Sequence, residues 1–430
     1  SNVSATGVTL NWTPATDNKA VTRYRIYKGE ELIYTAAGNV YKYDVVDLMP
    51  ETEYTFKVEA GDAAGNWSEA GLTVTVTTLP APPDTVLLKI YAASDTHSPH
   101  HDAKVKLMAQ DANENNVDAL VLSGDLTNDG APSQYDVLIS TINSNLNTDR
   151  TQVLYTTGNH DVRYKPGGFE EAKQLFLEKT GMPNVYYDTW IKGYHLIVMA
   201  GEKDLQNDAS ISDAQFKWLE EKLAEGADAN KPIFLFMHQP FSNIENDQQR
   251  ERFRNILSQY PQVIYTYGHT HGNVNSATNV KFQECTNLND GAIARDPAQA
   301  ILFEVYSDRV EIIARNVSQK STYRTDTVGR PTVEWVNREL TAIDAVLQNA
   351  VIGNQEGQYP LWAKNYLDGA VAEAESYISG TTTPKGLGDT FNKLRIAKTA
   401  FIKSKIDSAQ EPERFTVSGK VADELQQPVV

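Results

Sequence analysis

Asp95-Thr96-His97, Gly124-Asp125, Gly158-Asn159-His160-Asp161, His238 and Gly268-His269-Thr270-His271 each stand just beyond a short apolar run. The runs are Leu87 to Ala93, Ala119 to Leu122, Val153 to Tyr155, Ile233 to Met237 and Val263 to Tyr267. Imidazoles, carboxylates and an amide oxygen suit divalent transition metals such as Mn, Fe, Zn or Ni. Five of the chain's eight histidines lie in these five segments, a concentration that separates them from scattered surface usage. In an open α/β sheet, residues past the carboxyl ends of strands converge on one rim, so ligands distant in sequence can meet. One histidine at a strand end would carry no such argument; five ordered segments do. The lone cysteine, Cys285, excludes an internal disulfide and a Cys-cluster zinc site, so a metal must rest on His, Asp, Asn or Glu.

The elements that must position these groups occupy residues 87–317, where short apolar runs alternate with helical stretches such as Asp213 to Leu223 and Arg250 to Leu257. That alternation predicts packed α/β layers. Residues 1–79 differ. Runs at Val8 to Trp12, Tyr24 to Tyr27, Tyr54 to Val58 and Leu72 to Val76 alternate with period two, the pattern of an antiparallel β-sandwich. Trp12, Tyr24, Leu48 and Tyr54, with the corner Leu48-Met49-Pro50-Glu51-Thr52-Glu53-Tyr54, resemble the fibronectin type III family. Such a module implies a spacer or docking surface, and this one has no histidine. Residues 80–86 hold Pro80, Pro82 and Pro83 and predict a stiff extended linker.

Residues 334–407 show helical spacing: Leu340, Ile343 and Leu347, then Leu367, Ala370, Val371 and Ala374, then Leu387, Phe391, Leu394 and Phe401. A three-helix bundle follows, and with Gly357-Gln358-Tyr359-Pro360 before its second helix it resembles the FIVAR-like modules of secreted and wall-associated bacterial proteins. Residues 415–430 predict the first strand of a further β-domain, so a longer parent protein is expected. The fold class is thus multidomain: an N-terminal all-β sandwich, a central α/β domain and a C-terminal α-helical bundle.

The ordered set Asp-x-His, Gly-Asp, Gly-Asn-His-Asp, His, Gly-His-x-His resembles the calcineurin-like metallophosphoesterase family. The resemblance implies a β-sandwich flanked by helices and a centre of two divalent transition-metal ions. It assigns Asp95, His97, Asp125 and His271 to one metal and Asp125, Asn159, His238 and His269 to the other, with Asp125 as the bridge. His97 sets the chain apart from the purple acid phosphatase branch, and Gly124-Asp125-Leu126-Thr127-Asn128 has no tyrosine for a purple iron centre. Within the family, Asp-x-His with Gly-Asn-His-Asp resembles the cyclic-nucleotide phosphodiesterase-like branch. The same blocks serve nucleotidases and phosphomonoesterases.

Phosphate-ester chemistry explains these residue types. An ester anion repels hydroxide unless cations neutralise the phosphoryl oxygens and acidify bound water into a hydroxide nucleophile. Asn159, being neutral, preserves the Lewis acidity of such cations. His160 adjoins a ligand position without being assigned as one, and is expected to protonate the departing alkoxide, with Asp161 orienting its ring. His100 and His101 are expected to face solvent, His195 to be structural within a strand, and Cys285 to be a small buried residue. Lys393, Arg395, Lys398, Lys403 and Lys405 predict a solvated helix face.

Lys and Arg total 39 against 56 Asp and Glu, a net charge of −17 that disfavours a nucleic-acid polymer as partner. No apolar run approaches the ~20 residues of a membrane-spanning helix. The accessory modules imply a secreted or cell-surface bacterial enzyme acting on a phosphate ester, with cell-wall association in view. A non-catalytic adhesion protein is the alternative, and the intact metal-ligand set argues against it.

Overall fold

The computed structural model describes residues 2–406 except Lys19, Glu69, Ala70, Pro83, Tyr164, Gly226, Gln283 and Arg330. The strand expected within residues 415–430 lies outside the described residues. The chain divides into two compact units that part between Pro331 and Thr332.

The first unit begins with the sandwich. Strands β1 (Asn2–Val3), β2 (Val8–Asn11) and β5 (Lys42–Val45) form one sheet; β3 (Arg23–Lys28), β4 (Glu31–Ala37), β6 (Glu53–Gly61) and β7 (Leu72–Thr77) form the other, in the order β4-β3-β6-β7. All pairings are antiparallel. Val8, Leu10, Tyr24, Ile26, Val45, Leu48 and Phe56 meet between the sheets, as the period-two pattern requires. The Tyr54 hydroxyl accepts the Met49 N–H at 2.9 Å and pins the corner before β6.

Two six-stranded sheets follow. One contains β8 (Leu88–Ala93), β9 (Ala119–Ser123), β10 (Gln152–Thr156), β17 (Gln299–Val305), β18 (Arg309–Asn316) and β19 (Ser321–Gly329), ordered β10-β9-β8-β17-β18-β19. The other contains β11 (Tyr187–Ile191), β12 (Tyr194–Val198), β13 (Ile233–Phe236), β14 (Val263–Tyr267), β15 (Lys281–Phe282) and β16 (Thr286–Asn289), ordered β11-β12-β13-β14-β16-β15. β8, β9 and β10 run parallel, as do β12, β13, β14 and β16. β19 carries the sheet past residue 317, where sequence had placed the domain's end. Its residues are largely polar and half-exposed, so no apolar run announced it.

Alternate residues of each parallel strand face opposite ways. Ile90, Ala92 and Val121 meet Leu196, Phe234 and Ile264 of the other sheet in the inner core. Tyr91, Leu120 and Leu122 turn outward onto α1 (Asp102–Glu114) and α2 (Pro132–Asn143), while Leu235 and Tyr265 turn onto α5 (Asp213–Glu225) and α6 (Asp247–Ser258). Burial on both faces is why these strands read as unbroken apolar runs. Two short helices, α3 (Asn159–Val162) and α4 (Gly168–Thr180), follow β10.

The sandwich packs directly on this domain. Lys192 and Gly193, with φ of 48° and 73°, form the two-residue turn between β11 and β12, a conformation that favours glycine. A β-carbon at Gly193 would stand 2.6 Å from Met49 Cγ, so the turn is bare where Met49 enters the same core as Tyr187 and Tyr194.

The second unit comprises α7 (Val333–Gln348), α8 (Leu361–Ile378) and α9 (Pro384–Lys403). Ile343, Leu367, Ala374, Leu394 and Phe401 are fully buried, and Tyr359 stacks on Phe401 with centroids 4.5 Å apart. The basic residues of α9 are partly spoken for: Lys398 pairs with Glu339 at 2.7 Å and Lys393 with Glu373 at 3.0 Å. No helix among the described residues is long and apolar enough to cross a membrane.

Met49→Ala should lower the stability of the first unit by about 2 kcal/mol, the lower range for truncating a buried methionine. Denaturant unfolding followed at central-domain tryptophans should show the shift; a shift confined to sandwich probes would contradict the shared core.

Candidate metal centre

All five segments singled out from sequence lie at the carboxyl ends of parallel strands: β8, β9 and β10 from one sheet, β13 and β14 from the other. Both rims open on one place. Asp95, His97, Asp125, His269 and His271 have φ of 53°, 41°, 48°, 63° and 48°. Left-handed backbone at a non-glycine residue costs roughly 1–3 kcal/mol, and it persists where surrounding contacts impose it. Here the loops hold one another: Asp95 N donates to Gly124 O, His97 N to Asp125 O and Gly268 N to His238 O, each at 3.0 Å. Gly158 is required by proximity, because a β-carbon there would lie 2.2 Å from Asp125 Oδ1.

The side chains gather into overlapping groups. Ligand atoms of Asp95, His97 and His271 lie within 4.8 Å of one another, as do those of Asp125, His238 and His269. His97, Asp125 and His160 make a third such group, so His160 also stands at ligand distance. His271 Nε2 is 3.0 Å from Asp95 Oδ1, and His238 Nε2 is 3.2 Å from Asp125 Oδ2. His97 Nε2 lies 3.9 Å from both Asp95 Oδ1 and Asp125 Oδ2. Asn159 Oδ1 is 3.1 Å from His269 Nδ1. Asp95 Oδ1 and His238 Nε2 are buried and in no aligned hydrogen bond, although ion-pair partners are near. Orphaned donor atoms converging among carboxylates and imidazoles fit divalent cations.

A supporting layer fixes these groups. His238 Nδ1 donates to Ser123 O at 2.8 Å, which turns Nε2 toward Asp125. Ser94 Oγ lies 2.6 Å from Asp95 Oδ2 and 2.7 Å from Asp290 Oδ1. The same hydroxyl lies 3.0 Å from Gly291 O, so it joins Asp95, Asp290 and the backbone beside Asp290, and burial pushes Asp290 up to about 7. Burial likewise pushes His97 down to about 4. At His238 burial acts downward, yet the negative charge of Asp125, 3.2 Å away, outweighs it and pushes the imidazole up to about 10. Asp125 is held well below the usual carboxylate range: burial opposes this, and His238 overcomes it.

His160 and Asp161 depart from expectation. The His160 ring is oriented by the Asn128 carbonyl, 2.7 Å from Nδ1, and not by Asp161. Asp161 is turned into the protein, where its carboxylate accepts the N–H groups of Leu126, Thr127 and Gly158 at 3.1, 2.9 and 2.8 Å. It ties the loop of Asp125 to the loop of Asn159. The carbonyl can only accept, so it assigns the Nδ1 proton, and Nε2 is left 3.4 Å from Arg163 Nη2. Sequence reading missed Asn128, Arg163, Ser94 and Asp290. Arg163, three positions beyond His160, could have been found by helical spacing, whereas the others act through backbone or buried contacts.

His195 is buried in β12 against Asp188, 2.9 Å from Nε2, and Cys285 is buried with its thiol pushed up. His100 is exposed and His101 half-buried.

Residues 88–273 match the calcineurin-like phosphoesterase family, and residues 1–75 match the fibronectin type III domain. The chain therefore carries a calcineurin-like phosphoesterase domain behind a fibronectin type III domain. Its first domain is 42% identical over 80 residues to chitinase A1 of Niallia circulans, covering 19% of this chain and 11% of that protein. It is 46% identical over 89 residues to exoglucanase A of Cellulomonas fimi, covering 19% and 10%. The chain thus spans about a tenth of the length of these curated relatives. Similar solved structures include a purple acid phosphatase from yellow lupin (Lupinus luteus) seeds, at TM-score 0.45 and 15% identity over 77% of this chain and 73% of that one. A dimetal phosphatase from Danio rerio aligns at TM-score 0.43 and 12% identity over 57% and 99%.

Metal ligands bind deprotonated, so a metal entering this centre must displace the proton on His238. With a folded pKa of about 10 against 6.5 unperturbed, that proton stabilises the metal-free protein fully below pH 6.5 and ceases to as pH rises through 10. Metal binding at neutral pH should therefore release protons and strengthen with rising pH. Titration calorimetry in buffers of different ionisation enthalpy should show a buffer-dependent heat; a buffer-independent heat would mean a neutral His238.

Proposed function

We propose that the central domain hydrolyses phosphate esters, with phosphodiesters of the cyclic-nucleotide phosphodiesterase-like type preferred. The observation carrying this reading is the pair of three-residue ligand groups, Asp95-His97-His271 and Asp125-His238-His269, meeting where two parallel sheets end. Asp95, His97, Asp125 and His271 would hold one divalent ion and Asp125, Asn159, His238 and His269 the other, with Mn, Fe, Zn or Ni suited to the donors. Two such ions supply charge neutralisation of the phosphoryl group and acidification of water.

The chain's own residues do the rest. Asp125, fixed by the His160 N–H at 2.8 Å, keeps both ligand groups in register. Ser94 and Ser123 orient Asp95 and His238. His160, its Nδ1–H anchored on the Asn128 carbonyl, would act as general acid in its doubly protonated form, passing the Nε2 proton to the leaving oxygen and returning to the neutral ring. That oxygen would replace the Arg163 contact. Asp161 acts as a positioning residue for the loops. Phosphomonoesters engage the same groups, and a monoesterase or nucleotidase activity is the runner-up. We place the protein outside the cell: its first domain resembles segments of chitinase and exoglucanase chains, and a FIVAR-like reading of the helices agrees with surface association.

Asp125→Asn removes the charge shared by both ligand groups and should lower turnover by roughly three orders of magnitude or more, with metal content reduced and circular dichroism unchanged. Near-normal turnover and metal content would remove Asp125 from the bridging position.

His160→Ala tests proton delivery. An alkoxide needs a proton as its bond to phosphorus breaks, whereas nitrophenolate is stable as an anion, so roughly 10²–10⁴-fold loss is expected on an alkyl ester and much less on a nitrophenyl ester. Equal losses with metals retained would assign His160 to phosphoryl binding, and equal losses with metals depleted would make it a ligand.

A further inference from the structure

A cavity of about 620 Å³ opens beside the metal centre, lined by Asn128, Asp129, Ala131, Pro132, His160 and Lys165. Its position is set by His160, the group aimed at a departing oxygen, so whatever leaves phosphorus on that side enters this cavity. Lys165 is half-buried, and its side chain passes close to Gly130, where a β-carbon would be 3.1 Å from its Cε. Yet its ammonium forms no hydrogen bond or ion pair with the described residues. A lysine ammonium with no protein partner is available to an anion that enters the cavity. Lys104, across the centre, takes the carbonyls of Ala294 and Arg295 at 3.3 and 2.6 Å.

The charges around the cavity decide what partner Lys165 awaits. Arg163, also half-buried, reaches His160 Nε2 from the same side and donates to Gln206 O at 3.1 Å. Asp129 is the opposing charge, but its Oδ1 is buried from solvent and without a partner, and it forms no ion pair with Lys165. The lining itself holds one cation, Lys165, and one carboxylate, Asp129, with Arg163 beside it as a second cation, so an anion is repelled less here than on the rest of a chain of net charge −17.

We propose that this cavity receives the leaving group and that Lys165 selects leaving groups bearing a second anionic centre, a carboxylate or a further phosphate, beyond the scissile phosphorus. This rests on the phosphoesterase reading above. Lys165 recognises the substrate and has no part in the proton transfer. Its effect falls on KM more than kcat, because the contact is the same in ground and transition states.

The test uses two diesters with one phosphoryl group, methyl benzyl phosphate and methyl 3-carboxybenzyl phosphate, turned over by the metal-loaded full chain. The wild type should favour the carboxylated ester by roughly tenfold or more in kcat/KM, the value of one charge-assisted contact. Lys165→Arg should keep that preference, and Lys165→Glu should reverse it by repulsion. A wild type indifferent to the carboxylate, or a preference that survives Lys165→Glu, overturns the assignment and leaves the phosphoesterase reading standing. Failure of the metal-loaded wild type to cleave any ester, nitrophenyl esters included, overturns that reading and this one together.

Discussion

The carboxylate of Asp125 faces the imidazole of His238 at 3.2 Å, and the two arrive from different sheets. Asp125 follows β9, whose outer side is covered by α1 and α2; His238 follows β13, covered by α5 and α6. Each is almost wholly buried. Burial alone would drive both to their neutral forms, and only mutual attraction in a poorly solvating interior keeps them charged. A shift of either sheet by one residue would turn the pair apart, because side-chain direction along a strand alternates. The inner apolar core that fixes sheet against sheet is thus what sets the geometry of the centre. A metal replacing the His238 proton would enter a place already built around opposite charge.

The surrounding hydrogen bonds follow from that constraint. Asp161 serves three backbone N–H groups, two in the loop of Asp125 and one in the loop of Asn159. Burial pushes Asp161 up to about 6, with the charge of Asp125 acting in the same direction, and its donors pull against both. Asp290 sits behind Asp95 in a similar way, joined through Ser94. Buried carboxyls beside a cluster of anionic ligands raise the local cost of negative charge, and divalent cations would lower it. The left-handed backbone at the ligand positions belongs to the same economy: strain is tolerated where hydrogen bonds from neighbouring loops leave no alternative.

Around this centre the modules contribute differently. The fibronectin type III domain shares a core with the central domain through Met49, so the Pro-rich segment between them does not keep them apart. Asp84 in that segment pairs with Arg309 at 3.2 Å. The helical unit carries its own core, with Trp335 against Phe391 at 6.3 Å between centroids. Its basic residues were legible as a polar helix face, although Lys393 and Lys398 spend their charge on Glu373 and Glu339.

Sequence alone determined the kinds of layers and the placement of Asp95, His97, Asp125, Asn159, His160, His238, His269 and His271 after apolar runs. It could do so because burial on both faces makes parallel strands continuous in composition, and because five segments of metal-ligand residue types stand in one order where a single histidine would carry no argument. It left β19 unread, since an edge strand of polar residues has no periodic signature. It also paired Asp161 with the wrong partner. Adjacency in sequence suggested that Asp161 orients His160, but at the start of α3 the two side chains diverge, one into the backbone of the Asp125 loop and the other toward Asn128. Asn128, Ser94 and Lys165 gain their roles from neighbours 32, 196 and 35 residues distant, through a carbonyl, a hydroxyl and a close pass by Gly130. Contacts of that kind depend on how two sheets close over one another, and only the tertiary structure decides that.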